Sequence, residues 1–280
     1  MRRPPFKGDH DITGGSPAQG VEVLGWVVFD VLVVLALTAA AASYAVALWA
    51  ARDRSPVPGH RTMFWYAGLG CAGAGLIGPV ATAAHTSFAA HMAGHLLLGM
   101  IAPLLLVLAA PITLVLRALP VAQARSLTRL LRHPVVRVGT HPVVAAGLNA
   151  GGLWVLYTTD LYQLMHTSVL LHGLVHAHIV VAGYLFTASL VGVDPDPHRA
   201  SLPVRSVVLI VFIAAHSILA KWLYAHPPAG VQAPEAQVGA QLMYYGGDVV
   251  DIILIVLLFT GSYTATRPRQ STMAASRPTT

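Results

Sequence analysis

Seven apolar runs of about 20 residues each leave this chain few folds to choose from. They lie near 24–50, 62–83, 88–116, 141–158, 167–191, 203–225 and 240–263 of the 280 residues. Only 10% of the residues are charged, against about 25% in a soluble globular chain. The expected fold is therefore all-α: a polytopic membrane protein built as a seven-helix transmembrane bundle. Proline and glycine inside the runs (Pro79, Pro103, Pro111) do not argue against this, because membrane helices tolerate them. The second run carries Gly68, Gly70, Gly73, Gly75 and Gly78, a composition that lets helices approach closely. The division follows as a disordered N-terminal tail at 1–22, a seven-span domain at 23–264 and a disordered cytoplasmic tail at 265–280. No cleavable leader is evident in the polar, Gly- and Pro-rich start, so the first span is expected to act as the insertion signal.

Charge sets the orientation. The formal net charge is +6, with seventeen Lys and Arg. Thirteen of these fall in loops of one side: Arg52, Arg54 and Arg61; Arg117, Arg125, Arg129, Arg132 and Arg137; Arg199 and Arg205; Arg267, Arg269 and Arg277. The other side has Arg2, Arg3 and Lys7 in the tail, and Lys221 lies inside the sixth run. Short basic loops are a topology signal rather than a nucleic-acid footprint, and they predict N-terminus out, C-terminus in. The partner this implies is the lipid bilayer, with no nucleic acid. The basic stretch Pro120–Arg132 reads equally as a plain loop or as an amphipathic helix on anionic lipid.

With that orientation, most intramembrane ionisable residues gather toward the extracytoplasmic face. His91 and His95 open the third run at i, i+4 spacing, so both rings share one helix face. His172 and His176 repeat the spacing in the fifth. His216, Asp248 and Asp251 lie in the outer halves of the last two runs, Asp30 in the outer third of the first, and His85 and His166 in the outer loops. His178 points away from the His172/His176 face. Each has a plainer reading. A lone intramembrane histidine commonly bonds a neighbouring helix, and methionines such as Met92 fill cores. Asp248 and Asp251 either hold imidazole tautomers or pair with Lys221. The Asp194-Pro195-Asp196-Pro197 segment reads as a rigid turn.

Two matched histidine pairs at one depth point to a metal. The candidate ligands are His91, His95, His172 and His176, with Met92, His216, Asp248, Asp251 and His178 as secondary or supporting groups. Imidazole and thioether suit copper, while imidazole alone also suits zinc or haem iron. A bis-histidine haem carrier is one alternative, and a proton-coupled transporter using Lys221, Asp248 and Asp251 is another. The single cysteine, Cys71, sits in an apolar run, and no CxxC site is possible. No P-loop, GxSxG, GxGxxG or HExxH context is present, so no enzymatic activity is expected.

The run His91-Met92-x-x-His95-Leu96-Leu97, followed by Ala102-Pro103-Leu104-Leu105 and Ala110-Pro111, resembles the signature of the CtaG family of haem–copper oxidase assembly factors, the caa-type, seven-span group. His141-Pro142, Trp154 with a following tyrosine, the His172/His176 pair with Gly183, and the Asp-Pro turns with Arg199 fit the same pattern. The last run, Gln241 to Asp248, departs from it. The resemblance covers roughly residues 60–263. It implies a multi-pass protein of the bacterial plasma membrane that assists cytochrome c oxidase assembly. It further implies a haem–copper oxidase subunit as partner and copper as the cargo delivered.

Overall fold

The apolar runs become helices whose breaks fall where proline and glycine dictate. A computed structural model describes residues 17–54 and 56–266; the remainder of both expected tails, with Arg2, Arg3, Lys7, Arg267, Arg269 and Arg277, lies outside the described residues. α1 (Pro17–Ala51) begins inside the segment expected as tail. α2 (Gly59–Leu76) ends before Gly78, whose φ of 84° turns the chain into α3 (Pro79–Ala84). The third run is α4 (Phe88–Leu96), a π-helical turn (Leu97–Ile101), α5 (Ala102–Leu108) and α6 (Pro111–Ala118). There follow α7 (Val121–Leu131), α8 (Pro134–Gly139), α9 (Pro142–Thr158), α10 (Leu161–Thr167), α11 (Val169–Val191), α12 (Leu202–Ala225) and α13 (Ala233–Thr266). Among the described residues there is no strand.

Among the described residues, six segments are long and apolar enough to cross a membrane: Val23–Ala51, Gly59–Ala84, Phe88–Ala118, Val169–Val191, Leu202–Ala225 and Ala233–Tyr263. The expected seventh, α9, has 17 residues, about 26 Å of helix at 1.5 Å per residue. That is short of the roughly 30 Å of a bilayer core. His141-Pro142 starts it late and the turn at Thr159-Asp160 ends it early. It packs on α11 and α12. α1 is peripheral, with Val23, Val27, Val31 and Leu35 exposed in a row; so large an exposed apolar surface fits contact with lipid rather than water. The basic stretch folds as helix α7, with no residue buried.

The π turn has an identifiable cause. Pro103 has no N–H to offer the carbonyl of Gly99, and the ladder widens so that the Ala102 N–H reaches back five residues to Leu97 O. The freed Gly99 carbonyl faces Gly183 of α11, where a side chain would collide with it. Small residues thus let α11 and the third span touch backbone to backbone. Gly68 and Gly75 of α2 do the same service, receiving Leu106 and Leu98.

One end of the bundle gathers the basic loops. Arg54 Nη1 donates to Ala118 O at 2.9 Å. The Asp194 carboxylate accepts from Thr113 N at 2.7 Å, Thr113 Oγ1 at 2.6 Å and Ile112 N at 3.2 Å, so the expected turn is also a cap for α6. It steadies the break at Ala110, whose backbone is left-handed (φ 51°). Arg199 and Arg205 each donate at 2.7 Å to the last carbonyls of α11, Val191 O and Leu190 O, where a helix C-terminus favours cations. Asp194→Ala is expected to destabilise the protein by about 2 kcal/mol, because it strips three hydrogen bonds from one helix start. Asp194→Asn should recover part of this. Thermal unfolding in detergent measures both.

Candidate metal-handling site

At the end opposite the basic loops, α4 is fixed by two side-chain acceptors. Ser87 Oγ accepts from Ala90 N at 3.3 Å, and Glu235 Oε1, from α13, accepts from Phe88 N at 2.6 Å. These satisfy helix-start donors that otherwise lack partners, and they set His91 one turn and His95 two turns below the rim.

His91 is buried, and its Nε2 lies 3.0 Å from Tyr157 Oη. The same hydroxyl approaches Met92 Sδ at 3.8 Å. The His91 ring meets Tyr162 at 5.1 Å and His166 at 6.0 Å between centroids. On α11, the His172 and His176 rings lie 4.1 Å apart. His176 Nδ1 is 2.9 Å from His172 O, which assigns the proton to Nδ1 and leaves Nε2 as the lone-pair nitrogen. His172 Nδ1 is buried without a hydrogen-bond partner. Trp26 and Phe29 of α1 enclose that ring edge-on, and His85 lies nearly parallel to it at 5.8 Å. His85 is in turn 6.1 Å from His166. His166 Nδ1 is 2.7 Å from Tyr162 O, which again leaves Nε2 free.

His85, His166, Tyr162 and Glu235 also line a cleft of about 300 Å³ at the rim. Burial, with a smaller push from His166, lowers the His85 pKa below the usual imidazole value, and Asp30 partly offsets this. Burial, and then the Glu235 charge, push the Tyr162 hydroxyl up to about 12. Both groups are therefore neutral at pH 7, with His85 available as a ligand.

The four expected ligands do not form one pocket. His91 lies within charge–charge range of His95, His166, His172 and His176. Among the described residues, however, no three His, Cys, Asp or Glu side chains come together as a group able to hold a metal ion. The histidines are arranged in pairs. His95 turns to His216 of α12, with ring centroids 6.2 Å apart. Both His95 nitrogens and His216 Nε2 are buried with no hydrogen-bond partner. Asp251 is 2% exposed and neither carboxyl oxygen has a partner, while Asp248 is half-buried.

The alternative pairing of Lys221 with these aspartates is not found. The Lys221 ammonium lies over the Tyr244 ring at 5.2 Å, and no ion pair links it to Asp248 or Asp251 among the described residues. His178 faces α9 instead, with Nε2 3.1 Å from Leu148 O, as a helix-to-helix bond. Met92 is buried at the Tyr157 hydroxyl, and Met165 and Met243 are core. His85 and His166, expected in the outer loops, were not among the expected site residues. Tyr157 entered only as part of the family pattern, and Tyr162 and Glu235 were missed altogether. Their signal was location alone: polar groups in or near the loops that flank the histidine-bearing ends of the spans.

A family model described as cytochrome c oxidase caa3 assembly factor (Caa3_CtaG) matches residues 42–265. No curated protein and no solved structure matches the chain.

Proposed function

Because the chain belongs to the cytochrome c oxidase caa3 assembly factor family, we propose that it binds copper at the outer histidine cluster and passes it to a haem–copper oxidase subunit. It does so as a non-enzymatic, multi-pass protein of the bacterial plasma membrane. In this reading α9 is a short seventh span, the N-terminus faces out and the C-terminus in. The basic loops then face the cytoplasm and the histidines face the compartment from which the client's metal site is loaded.

The observation that carries the copper reading is the ring spacing. A metal–imidazole bond runs about 2 Å, so two rings facing each other across one ion have centres about 6 Å apart. The pairs His85–His172, His91–His166 and His85–His166 lie at 5.8, 6.0 and 6.1 Å. Copper in its closed-shell state accepts two imidazoles, and a series of such pairs lets an ion move by exchanging one ligand at a time. His91, His172 and His176 supply the inner nitrogens, His85 and His166 the rim, and the Met92 thioether lies beside them as a soft donor.

Metal analysis of the purified protein tests the proposal. Wild type is expected to hold copper, and the variant with His91, His95, His172 and His176 all replaced by alanine to hold less, with His85 and His166 as its remaining pair. Equal copper in both would refute the ligand assignment. A Soret band in the purified protein would move the reading to haem.

A further inference from the structure

We infer that His95 and His216, with Asp251 as counter-charge, form a second cation site, deeper in the bundle than the outer cluster, and that it takes a single copper(I) ion. The identity of the cation rests on the copper reading above; the existence of a separate site rests on geometry alone.

The first observation is a concentration of unmet polar atoms. His95 Nδ1 and Nε2, His216 Nε2 and both Asp251 oxygens are buried with no hydrogen-bond partner, on residues only 2–4% exposed. Interior polar groups are normally paired, and leaving one unpaired is costly. Five such atoms on three residues of neighbouring helices do not suit a purely structural core. Elsewhere in the same bundle His91 has Tyr157, His176 has a carbonyl and His178 has a carbonyl, and the other unpartnered buried atoms, His172 Nδ1 and Arg205 Nε, are single atoms on separate residues.

The second observation is how the two rings are held. Gly99 in the π turn and Gly247 on α13 are the points where backbone meets them. A Cβ at Gly99 would lie 3.1 Å from His95 Cε1, and one at Gly247 would lie 2.6 Å from His216 Cε1. The rings are therefore confined, 6.2 Å apart and 27° from parallel, at the separation of two imidazoles sharing one ion.

The third is Asp251. It stands one turn beyond Gly247 on the same face of α13, and helix side chains lean back toward the N-terminus. Its carboxyl thus leans toward the turn on which the His216 ring rests. One turn is about 5 Å, too far for a ligand bond but near enough to balance charge. An uncompensated carboxylate at this depth is very unfavourable. Two neutral imidazoles, one copper(I) and one carboxylate sum to zero, which suits a low-dielectric interior better than a divalent ion would.

Anaerobic copper(I) titration of the full-length protein in detergent, against a competing colorimetric chelator, tests this. Wild type is expected to bind two ions per chain. The outer variant, with His85, His91, His166, His172 and His176 replaced by alanine, should retain one, and adding His216→Ala should remove it. X-ray absorption on the outer variant should report two nitrogen ligands at about 2 Å. Asp251→Asn should weaken the remaining ion by about tenfold, the effect of one lost charge, while Asp248→Asn should not.

An outer variant that retains no copper would overturn the inner site, as would His216→Ala with wild-type stoichiometry. An outer variant that keeps both ions would instead overturn the outer assignment and leave the inner one standing. If His216→Ala fails to fold, judged by helical circular dichroism and gel filtration, the nearly isosteric Asp251→Asn decides: unchanged affinity refutes the proposal.

Discussion

Gly183→Val is expected to yield no folded protein. A Cβ at Gly183 would overlap the carbonyl oxygen of Gly99 and come within 3.0 Å of Pro103 Cγ. The obstacle is backbone, which cannot rotate away as a side chain end can. Nor can the carbonyl withdraw into its own helix, because its usual donor position is Pro103. Even Gly183→Ala should cost about 3 kcal/mol, the upper range of overpacking. Valine adds two further methyls at the same point. The third span and α11 carry His91, His95, His172 and His176, so separating them would scatter the cluster as well. Gel filtration and thermal unfolding of detergent-purified protein measure the effect. Gly151→Ala on α9, where nothing lies within 4 Å of the added carbon, is the control. It should be neutral or slightly stabilising, since alanine is the better helix former. A Gly183→Val protein that elutes and melts like wild type would show that the two backbones are not in contact.

Asp251→Leu is expected to act in the opposite direction, making the metal-free protein more stable and the protein less able to bind copper. Asp251 is 2% exposed among Val250, Leu254 and Leu258 of an apolar cluster, with both oxygens unpartnered. Removing an unsatisfied buried carboxyl and filling its volume with methyls should raise stability by about 2 kcal/mol. That appears as a rise of several degrees in the unfolding midpoint. Copper should raise the midpoint of wild type by mass action and that of the variant less. A fall in the midpoint of the metal-free variant would mean that Asp251 has a stabilising partner within the protein. A rise in the metal-free midpoint together with weaker copper binding would assign the histidine–aspartate group to binding rather than to packing.

Much of this architecture was readable in the residues. Low charge and long apolar runs required membrane helices. The Arg-rich loops do meet at one end, with the histidines toward the other. The i, i+4 spacing placed His91 with His95, and His172 with His176, on one face of their helices, and the structure buries all four. The run at 141–158 coincides with α9 to within one residue, but at 17 residues that helix is short of a bilayer core. The Asp-Pro turn was legible as a turn and silent as a cap, because its partners, Ile112 and Thr113, are about 80 residues away in the chain.

Periodicity by itself placed His91 with His95, and His172 with His176, on one face of their helices, since that depends on a single helix alone. It did not determine which helix that face would meet. That choice came from the tertiary structure, through glycines that admit a neighbour and a proline that widens one turn. His95 meets His216 because Gly99 and Gly247 leave room for those two rings. His91 remains with Tyr157 and His166, and Lys221 rests on Tyr244 instead of an aspartate. Contacts of this kind depend on helix rotation and separation of a few ångströms, and no local pattern in a single chain encodes those distances.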